Sequence, residues 1–506
     1  MSSDEEEQFD EMDWDDSDSE GQVEEGGDDE DDSSLDDDDD EDDSSLDDDD
    51  DEDDSSLDDD DDEEEEDEDD EEDPTPFRVE FAQCHGNRDV YWKWDGTASI
   101  PERMDGMWIS GVIDSNDIIF SSLLNLLRNN PRQWSEIIIY GAEVSTTTPE
   151  FLEILEATFT KTDMLRLSGC MNDTEAFSCL NRSFRLHGGF KKLELMYADR
   201  PMRKDEAETL SHGLSTATVL EELSLLQGNL TSIGVAPALI QGLRACQSLL
   251  TLDIEWCRFE PGVLSQLFSA LQYHPKLTKL KFGSSYKILE QEMDVLSEWL
   301  GRDDCKLQKL VIRQHNFPTY GQLPEFSDLH LATPNVSLKE LTIFRGGLDA
   351  MFVHSLLSKF SSLVSLDLSE NNIDDLSPIC DHFSHSPTKL VSLDLSGNKI
   401  SDLAPLDRLI YGSSATLQTL ILNNNQIGVT DILHFARKMS EVKTLKMLVI
   451  AYNPFLESQV CTRAFVHALE ENTSLEKIYA YVYGTPRSLK ERMGEITTLN
   501  RSLNSL

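Results

Sequence analysis

Apolar residues recur along most of the chain in the pattern Leu-x-x-Leu-x-Leu-x-x-Asn/Cys-x-Leu. The pattern occurs thirteen times, with successive copies 25 to 31 residues apart and about 28 on average. Its first position is apolar in twelve copies, Thr162 being the exception, and its third position is apolar in all of them. A repeat of this period predicts a solenoid, because one short unit buries its apolar face only against its neighbours. The second apolar position is filled by Ile137, Leu165, Leu193, Leu223, Leu252, Leu280, Leu310, Leu341, Leu366, Leu393, Leu420, Leu448 and Ile478.

Two periodicities alternate within each copy. Apolar residues with period two around the second Leu predict a strand, whose side chains point alternately to its two faces. Between strands, an apolar spacing of three to four residues predicts a helix in most copies, for example over residues 263–271. One strand and one helix per copy predict an α/β solenoid with a parallel sheet on one side and helices on the other.

The chain here resembles the leucine-rich-repeat superfamily, specifically its ribonuclease-inhibitor-like class, over about residues 116–485. The period, the helical segments and the Asn/Cys position carry this resemblance. It implies a horseshoe with a parallel sheet on the concave face and helices on the convex side. It implies no particular partner, because members of the class bind different proteins.

The Asn/Cys position follows each strand at a bend, where backbone groups would otherwise be buried without hydrogen-bond partners. An amide or thiol there is expected to satisfy them, which predicts structural rather than reactive cysteines. Asn is used in four consecutive late copies, so the C-terminal half is expected to be the more regular one. This predicted Asn/Cys ladder comprises Cys170, Cys257, Asn371, Asn398, Asn425 and Asn453.

The regions that flank the repeats complete a predicted division into four parts. Residues 1–76 are a polyacidic, low-complexity tail, 77–115 an N-terminal cap, 116–485 the repeats and 486–506 a C-terminal cap or tail. Caps are expected because the ends of a solenoid expose an apolar cross-section. The aromatic residues of residues 77–115 are interpreted as cap packing: Tyr91, Trp92, Trp94 and Trp108.

The net charge of −60 belongs mainly to the tail. Residues 1–73 hold 50 of the 101 acidic residues and no Lys or Arg, which leaves 51 acidic and 41 basic residues, or −10, for the rest. An eleven-residue unit, Ser-Ser-Leu followed by eight acidic residues, repeats between Ser33 and Asp62. Its like charges and single Leu predict disorder.

Serines in the tail have an acidic residue three positions downstream, which resembles the pattern read by acidophilic kinases. The candidate phosphorylation sites are Ser33, Ser34, Ser44, Ser45, Ser55 and Ser56. Two interpretations of the tail stay open: a polyanion that binds basic proteins such as histones, and a solubilising segment without a fixed partner.

Residues that flank the buried Leu pair of each strand are expected on the concave face. Two groups are candidate partner-binding surfaces, since aromatic residues and Arg are enriched in protein interfaces. The alternative is an ordinary solvated sheet face, and a tail folded back onto the basic group is a further hypothesis. The basic patch is Lys279, Lys281, Lys309, Arg313, Phe344 and Arg345; the aromatic patch is Met447, Val449, Tyr452, Tyr479 and Tyr481.

Other classes of chemistry are not expected. The sequence has no phosphate-binding loop, dinucleotide fingerprint, zinc-protease motif or nucleophile elbow, which predicts a protein that is not an enzyme and needs no cofactor. Cys380, His382 and His385 lack a fourth ligand, so no metal site is predicted. Nucleic acid is not an expected partner because the repeat region is mildly acidic.

The eight cysteines form no pairs or dense framework, which favours a reducing compartment, and neither a signal peptide nor a membrane span is predicted. We therefore expect an intracellular protein, cytoplasmic or nuclear, that does not enter membranes.

The leading hypothesis is a non-catalytic protein-interaction scaffold, with the concave face binding a protein and the tail binding basic surfaces or tuning charge. Two alternatives stay open. The GTPase-activating protein of the nuclear-transport GTPase is similar in joining such repeats to an acidic segment, which follows the repeats there. The acidic leucine-rich nuclear phosphoproteins, which suggest a histone or basic-protein chaperone, also carry their acidic tail after a shorter array.

Overall fold

The computed structural model describes residues 78–82, 91–100, 104–110, 118–129, 133–140, 149–159, 161–169, 174–187, 190–197, 201–284, 288–314, 334–385, 390–411, 415–481 and 487–504. All of them belong to one compact unit, Glu71–Leu506. The acidic tail with its six candidate phosphorylation sites lies outside the described residues, as do Cys170 and the side chains of Tyr91, Trp92 and His385.

The strands of the described residues form one sheet of sixteen. From β3 to β16 each strand pairs in parallel with the next in the chain, whereas β1 lies antiparallel to β3, and β2 antiparallel to β1. The strands are β1 (Arg78–Ala82), β2 (Tyr91–Lys93), β3 (Gly106–Ser110), β4 (Trp134–Tyr140), β5 (Thr162–Ser168), β6 (Lys192–Met196), β7 (Glu222–Leu226), β8 (Thr251–Ile254), β9 (Lys279–Ser284), β10 (Lys309–Gln314), β11 (Glu340–Phe344), β12 (Ser365–Asp367), β13 (Ser392–Asp394), β14 (Thr419–Ile421), β15 (Met447–Val449) and β16 (Lys477–Tyr479).

Helices alternate with the parallel strands and contact one another along the second layer of the solenoid. Three short 3-10 segments, Ala404–Leu406, Met439–Glu441 and Pro454–Glu457, occur in the later repeats. The helices are α1 (Ile118–Asn129), α2 (Pro149–Thr158), α3 (Thr174–His187), α4 (Lys204–Thr216), α5 (Val235–Ala245), α6 (Val263–Leu271), α7 (Glu290–Leu300), α8 (Ala350–Leu357), α9 (Ser377–His385), α10 (Asp407–Ile410), α11 (Val429–Lys438), α12 (Gln459–Leu469) and α13 (Arg487–Asn504).

The register of the sheet follows the predicted repeat alignment. The residues at the second apolar position of neighbouring repeats are Cα partners in every parallel pair from β4 to β16, as Leu366 and Leu393 illustrate. Met107 on β3 continues the same column by one strand, because it pairs with Ile137. The sheet therefore extends into the segment that the sequence assigned to the N-terminal cap. The predicted α/β solenoid is confirmed.

One continuous apolar core lies between the sheet and the helices. Apolar side chains of the strands pack against the helices, as in the edge-to-face contact of Phe282 on β9 with Phe268 on the preceding helix α6, at 5.1 Å between ring centroids. Helices α4 and α5 approach so closely at Gly242 that a Cβ there would lie 2.6 Å from the Cα of Ser211.

A ladder of buried Asn side chains ties the late repeats together. Asn398 donates through Nδ2 to the carbonyl oxygens of Leu368, one repeat earlier, and of Leu395 and Ser396, while its Oδ1 accepts from the N–H of Ile373. Asn371, Asn425 and Asn453 make equivalent contacts. Each amide thus satisfies backbone groups of two repeats at once.

Cys257 occupies the same ladder position in an earlier repeat. Its Sγ donates to the carbonyl oxygen of Leu225, one repeat earlier, at 3.0 Å. Burial raises the pKa of this thiol to about 12, so it stays protonated and able to donate at neutral pH.

The helical layer has an equivalent link at Glu292, which is fully buried near the start of α7. Its Oε2 accepts from the N–H of Leu289, and its Oε1 accepts from the N–H groups of Gly262 and Leu264 at 2.8 and 3.2 Å. Gly262 is the N-cap residue of α6 and Leu264 lies in its first turn, so one carboxylate caps two neighbouring helices. A negative charge is favourable there because both helix N-termini carry partial positive charge.

We predict that Asn371→Ala lowers the free energy of unfolding by about 3 kcal/mol, because three buried carbonyl groups and one buried N–H lose their partner. Asn372 is the matched control: it is the next residue and is exposed, so Asn372→Ala should change stability by less than about 0.5 kcal/mol. Denaturant unfolding followed by circular dichroism measures both, and equal effects would contradict the ladder.

We also predict that Glu292→Ala destabilises the protein by about 3 kcal/mol, since three backbone N–H groups of two helices lose a charged acceptor. Glu290→Ala is the control, because Glu290 lies exposed in the same first turn and contributes through the helix dipole, about 0.5 kcal/mol. Thermal unfolding of the two variants compares them, and a Glu292→Ala variant no less stable than Glu290→Ala would refute the inter-helix link.

Candidate partner-binding face

The residues of the basic patch come from three adjacent strands, β9, β10 and β11, and from the turn that follows β11. Lys279 and Lys309 are Cα partners and lie side by side, as do Lys281 and Val311. Like charges in register repel one another, so the sheet needs compensating groups at this point.

Most cations of the basic patch are paired with carboxylates of neighbouring strands. Lys281 Nζ lies 3.0 Å from Asp253 Oδ2, and Lys309 Nζ lies 2.9 Å from Glu340 Oε2. Within the described part of the chain Lys279 has no carboxylate within 4.0 Å. The patch is therefore a network of alternating charges, with a smaller positive field than its own residues suggest.

Arg313 forms its ion pair across an intervening strand. Its Nε donates to Glu255 Oε1 at 3.0 Å, from β10 to the residue that follows β8. The residue of β9 in register with Arg313 is Gly283, which has no side chain to obstruct this reach.

Phe344 lies between two guanidinium groups on the same face. The Arg313 Cζ is 5.1 Å and the Arg345 Cζ 4.9 Å from the centre of its ring. The Nε atom of Arg345 lies 3.7 Å from Oε2 of Glu370. Cation–π contacts hold both guanidinium groups beside a half-buried aromatic ring, so the basic patch presents a fixed surface of ring and charge.

Burial shapes the ionisation of this network. It raises the pKa of Glu255, and the nearby Asp253 adds to the rise, while Arg313 and Lys281 oppose it. Burial acts to lower the pKa of Lys281, but Asp253 and Glu255 outweigh it, and the Lys281 pKa is above its usual value. Arg313 and Lys281 thus favour the charged form of Glu255 against the effect of burial.

A pair of carboxylates follows the basic patch along the sheet. Asp367 and Asp394 are Cα partners on β12 and β13. The Oδ1 atom of each accepts from the N–H and the hydroxyl of the Ser two residues later, Ser369 or Ser396. Burial, and then the charge of Asp367, raise the pKa of Asp394 to about 6, and the bonds from Ser396 partly offset this rise.

The aromatic patch gathers at the C-terminal end of the sheet. Met447 and Val449 are Cα partners of Lys477 and Tyr479. Tyr452, Tyr479 and Tyr481 are 56%, 43% and 36% exposed, and the rings of Tyr452 and Tyr481 meet edge to face at 6.4 Å. Tyr452 has a left-handed backbone with φ of +53°, a conformation that costs a residue with a side chain about 1 kcal/mol.

This left-handed position precedes the ladder Asn in several repeats. It is held by Glu370, Asn424 and Tyr452, and by Gly397 in one repeat, while Gln227 and Arg345 adopt the same conformation before Gly228 and Gly346. The chain turns there and aims the following side chain into the bend. Arg345, Glu370 and Tyr452 are thereby fixed at the edge of the concave face.

The remaining chemistry-bearing residues are buried in the repeats. Among the described cysteines, Cys179 is buried, and the free and buried ones are Cys246, Cys257, Cys305, Cys380 and Cys461. Burial raises the pKa of Cys380 to about 12 and lowers the pKa of His382. Among the described residues no group of three His, Cys, Asp or Glu side chains is placed to hold a metal ion. No helix in the same part of the chain has the length and apolar character needed to cross a membrane.

Comparison with known proteins agrees with this geometry. A family model described as Leucine Rich repeat matches residues 361–376 and 386–403, which contain β12 and β13. The structure is therefore a solenoid of the leucine-rich-repeat kind. The register of the sheet extends the same repeat from the matched segments to the other parallel strands of the described residues.

Among solved structures, the chain is similar to one titled "Crystal structure of TLR13-ssRNA13 complex". The identity is 18% and the TM-score 0.36, and the match covers 68% of this chain. The chain spans 45% of the length of that protein. A search of curated proteins finds no match to this sequence.

Sequence reasoning found the cations of the basic patch but not all of their partners. Glu340, which is in register with Lys309, and Glu370 were not predicted as members, because the patch was defined by its cations and its aromatic residue. The acid pair Asp367 and Asp394 was visible as two aligned Leu-Asp-Leu-Ser segments. The contact between Arg313 and Glu255 skips a repeat, and neighbour-to-neighbour alignment does not reveal it.

Because the pKa of Asp394 is raised in the folded protein, the native state binds the proton more tightly than the unfolded chain between about pH 4 and pH 6. The contribution of Asp394 to the free energy of unfolding therefore falls as pH rises through that window and stays low above pH 6. We predict that Asp394→Asn stabilises the protein by about 1 kcal/mol at pH 7.5, a value that allows for solvent screening, and by less at pH 5.

Denaturant unfolding of the wild type and the Asp394→Asn variant at the two pH values measures this difference. Asp374→Asn is the control, because Asp374 is exposed and should show no pH-dependent gain. An equal gain at pH 5 and pH 7.5 for Asp394→Asn would argue against the raised pKa.

Proposed function

We propose that this protein is a non-catalytic scaffold for protein–protein interaction and that its concave face binds a protein partner. Leucine-rich repeats in general present an extended concave surface for such contacts. The observation that carries the proposal is the Phe344 ring, held on this face between Arg313 and Arg345. Aromatic residues and Arg in fixed positions are the residue types that dominate interface energies.

The size of the face supports a protein rather than a small ligand. Fourteen parallel strands at about 4.8 Å spacing form an arc of roughly 60 Å. Acidic and basic groups alternate along this face between Asp253 on β8 and Glu370 after β12. The carboxylates of Asp367 and Asp394 lie side by side on β12 and β13. Such a pattern selects a partner with the complementary order of charges and rejects others by repulsion.

The remaining assignments are part of the same proposal. The tail binds basic surfaces or tunes the charge of the protein. The average period of about 28 residues and the helical second layer favour the ribonuclease-inhibitor-like class. The free, buried cysteines of the described residues, such as Cys257 and Cys380, favour a reducing compartment, cytoplasmic or nuclear.

The proposal predicts that Phe344→Asp abolishes capture of a specific partner by the full chain, since it places a carboxylate where the partner meets an aromatic ring. The matched control is Tyr273→Asp. Tyr273 follows α6, is 66% exposed and has the Arg302 guanidinium 4.2 Å from its ring centre, so it is a second cation–π pair outside the sheet.

Affinity capture followed by mass spectrometry compares the wild type, the two variants and residues 1–76 alone, with circular dichroism to verify folding. The supporting result is a set of proteins lost with Phe344→Asp and retained with Tyr273→Asp. A set that is unchanged in both variants and also captured by residues 1–76 alone would reject the concave face as the binding surface.

A further inference from the structure

A groove lies at the C-terminal end of the sheet. In the described part of the chain β16 is the last strand, and α13 contacts it. The space between them has a volume of about 260 Å³. Pockets for small molecules usually measure about 300–1,000 Å³, so this C-terminal groove has room for one large side chain. It is lined by Lys477, Ile478, Tyr479, Tyr481, Lys490, Met493, Gly494, Thr497 and Arg501.

Polar contacts fix the helix that forms one side of the C-terminal groove. Asn500, on α13, donates through Nδ2 to the carbonyl oxygens of Asn472 and Leu475 at 3.1 and 2.8 Å. Arg501 donates through Nε to the carbonyl oxygen of Glu476 at 2.8 Å. The groove is thus formed before any ligand arrives, which lowers the entropic cost of binding.

The lining of the C-terminal groove is aromatic and open. Tyr479 is the last residue of β16 and Tyr481 lies two positions after it, so their side chains share a face. Both are partly exposed. Lys490 Nζ lies 5.2 Å from the centre of the Tyr481 ring. At Gly494, an added Cβ would meet no atom within 4 Å, so α13 leaves space where other residues would fill it.

The charge of the C-terminal groove differs from that of the basic patch. Among the described residues, Lys477, Lys490 and Arg501 have no carboxylate within 4.0 Å, whereas Lys281, Lys309 and Arg313 each have one. The acidic residues of α13 pair elsewhere, Glu491 with Arg487 and Glu495 with Arg492. Three uncompensated cations around an aromatic groove favour a ligand that is both acidic and apolar.

We propose that the C-terminal groove binds a short acidic segment of a partner protein. One aromatic side chain of that segment enters the groove against Tyr479 and Tyr481, and its flanking carboxylates lie beside Lys477, Lys490 and Arg501. The inference rests on the proposed scaffold function and deepens it, since it gives the partner's segment a stated chemistry and a docking point separate from Phe344.

The test uses the full chain and a fluorescent eight-residue peptide with one Trp among Asp and Glu residues. Binding is followed by fluorescence anisotropy at about 150 mM salt, where a Debye length of about 8 Å screens the distant part of the net charge of −60. We expect saturable binding that is at least about tenfold weaker when the Trp is replaced by Ser, or when the acidic residues are replaced by Lys.

Two variants address the groove itself. Gly494→Leu fills it and Lys490→Glu reverses a charge beside it, and each should weaken binding of the Trp peptide about tenfold or more. The matched controls on exposed parts of α13 outside the groove lining are Thr498→Leu and Arg487→Glu, which should change binding by less than about twofold.

Phe344→Asp should leave peptide binding unchanged, which separates this inference from the proposed concave-face function. If the Trp peptide fails to bind the wild-type chain, or binds Gly494→Leu as well as Thr498→Leu, the C-terminal groove is not the docking point and the inference is overturned. If the Phe344→Asp variant loses partner capture but still binds the Trp peptide, the result supports both proposals.

Discussion

The structure depends on the need to satisfy buried backbone groups at the bend after each strand. There the chain leaves the sheet and its carbonyl groups face the core, where water does not reach them. Asn371, Asn398, Asn425 and Asn453 meet this need with one amide per repeat, and each amide also bonds to the repeat before it. The same contact therefore closes the bend and joins neighbouring repeats, so the register of the sheet follows from the side chains at this position.

That register in turn decides which charges meet on the concave face. Because the strands align residue for residue, Asp253 lies beside Lys281, and Asp367 lies beside Asp394. The first pair is attractive and the second repulsive. Burial, and then the repulsion from Asp367, raise the pKa of Asp394. A face of this kind is selective through its order of charges rather than through its net charge. Fixed aromatic groups, Phe344 near the centre and the tyrosines near the end, supply apolar area for contact.

The sequence alone predicts much of this fold because its period and its apolar positions are direct consequences of the shared core. The aligned Leu positions predict the pairing of every parallel strand from β4 to β16, and they extend to Met107 once the sheet is known. The strand lengths were not predictable in the same way. β12, β13, β14 and β15 have three residues each, and each of them ends four residues before a ladder Asn, where the chain bends away from the sheet.

The candidate surfaces were predicted less completely for a related reason. Alternation identifies which side chains share a face, but not which of them reach past their nearest neighbour. The contact of Arg313 with Glu255 depends on Gly283 between them, and the C-terminal groove depends on the placement of α13 against β16. Both depend on how side chains and elements pack in three dimensions, which a one-dimensional pattern does not contain.

The most direct test of the central claim, that the concave face of the repeats binds the partner, is hydrogen–deuterium exchange of the full chain with and without a captured partner. We expect slower exchange on binding in β8 to β12 and in the turns that carry Arg345 and Glu370, with helices α5 to α8 unchanged. Protection confined to those helices, or to residues 1–76, would contradict the account.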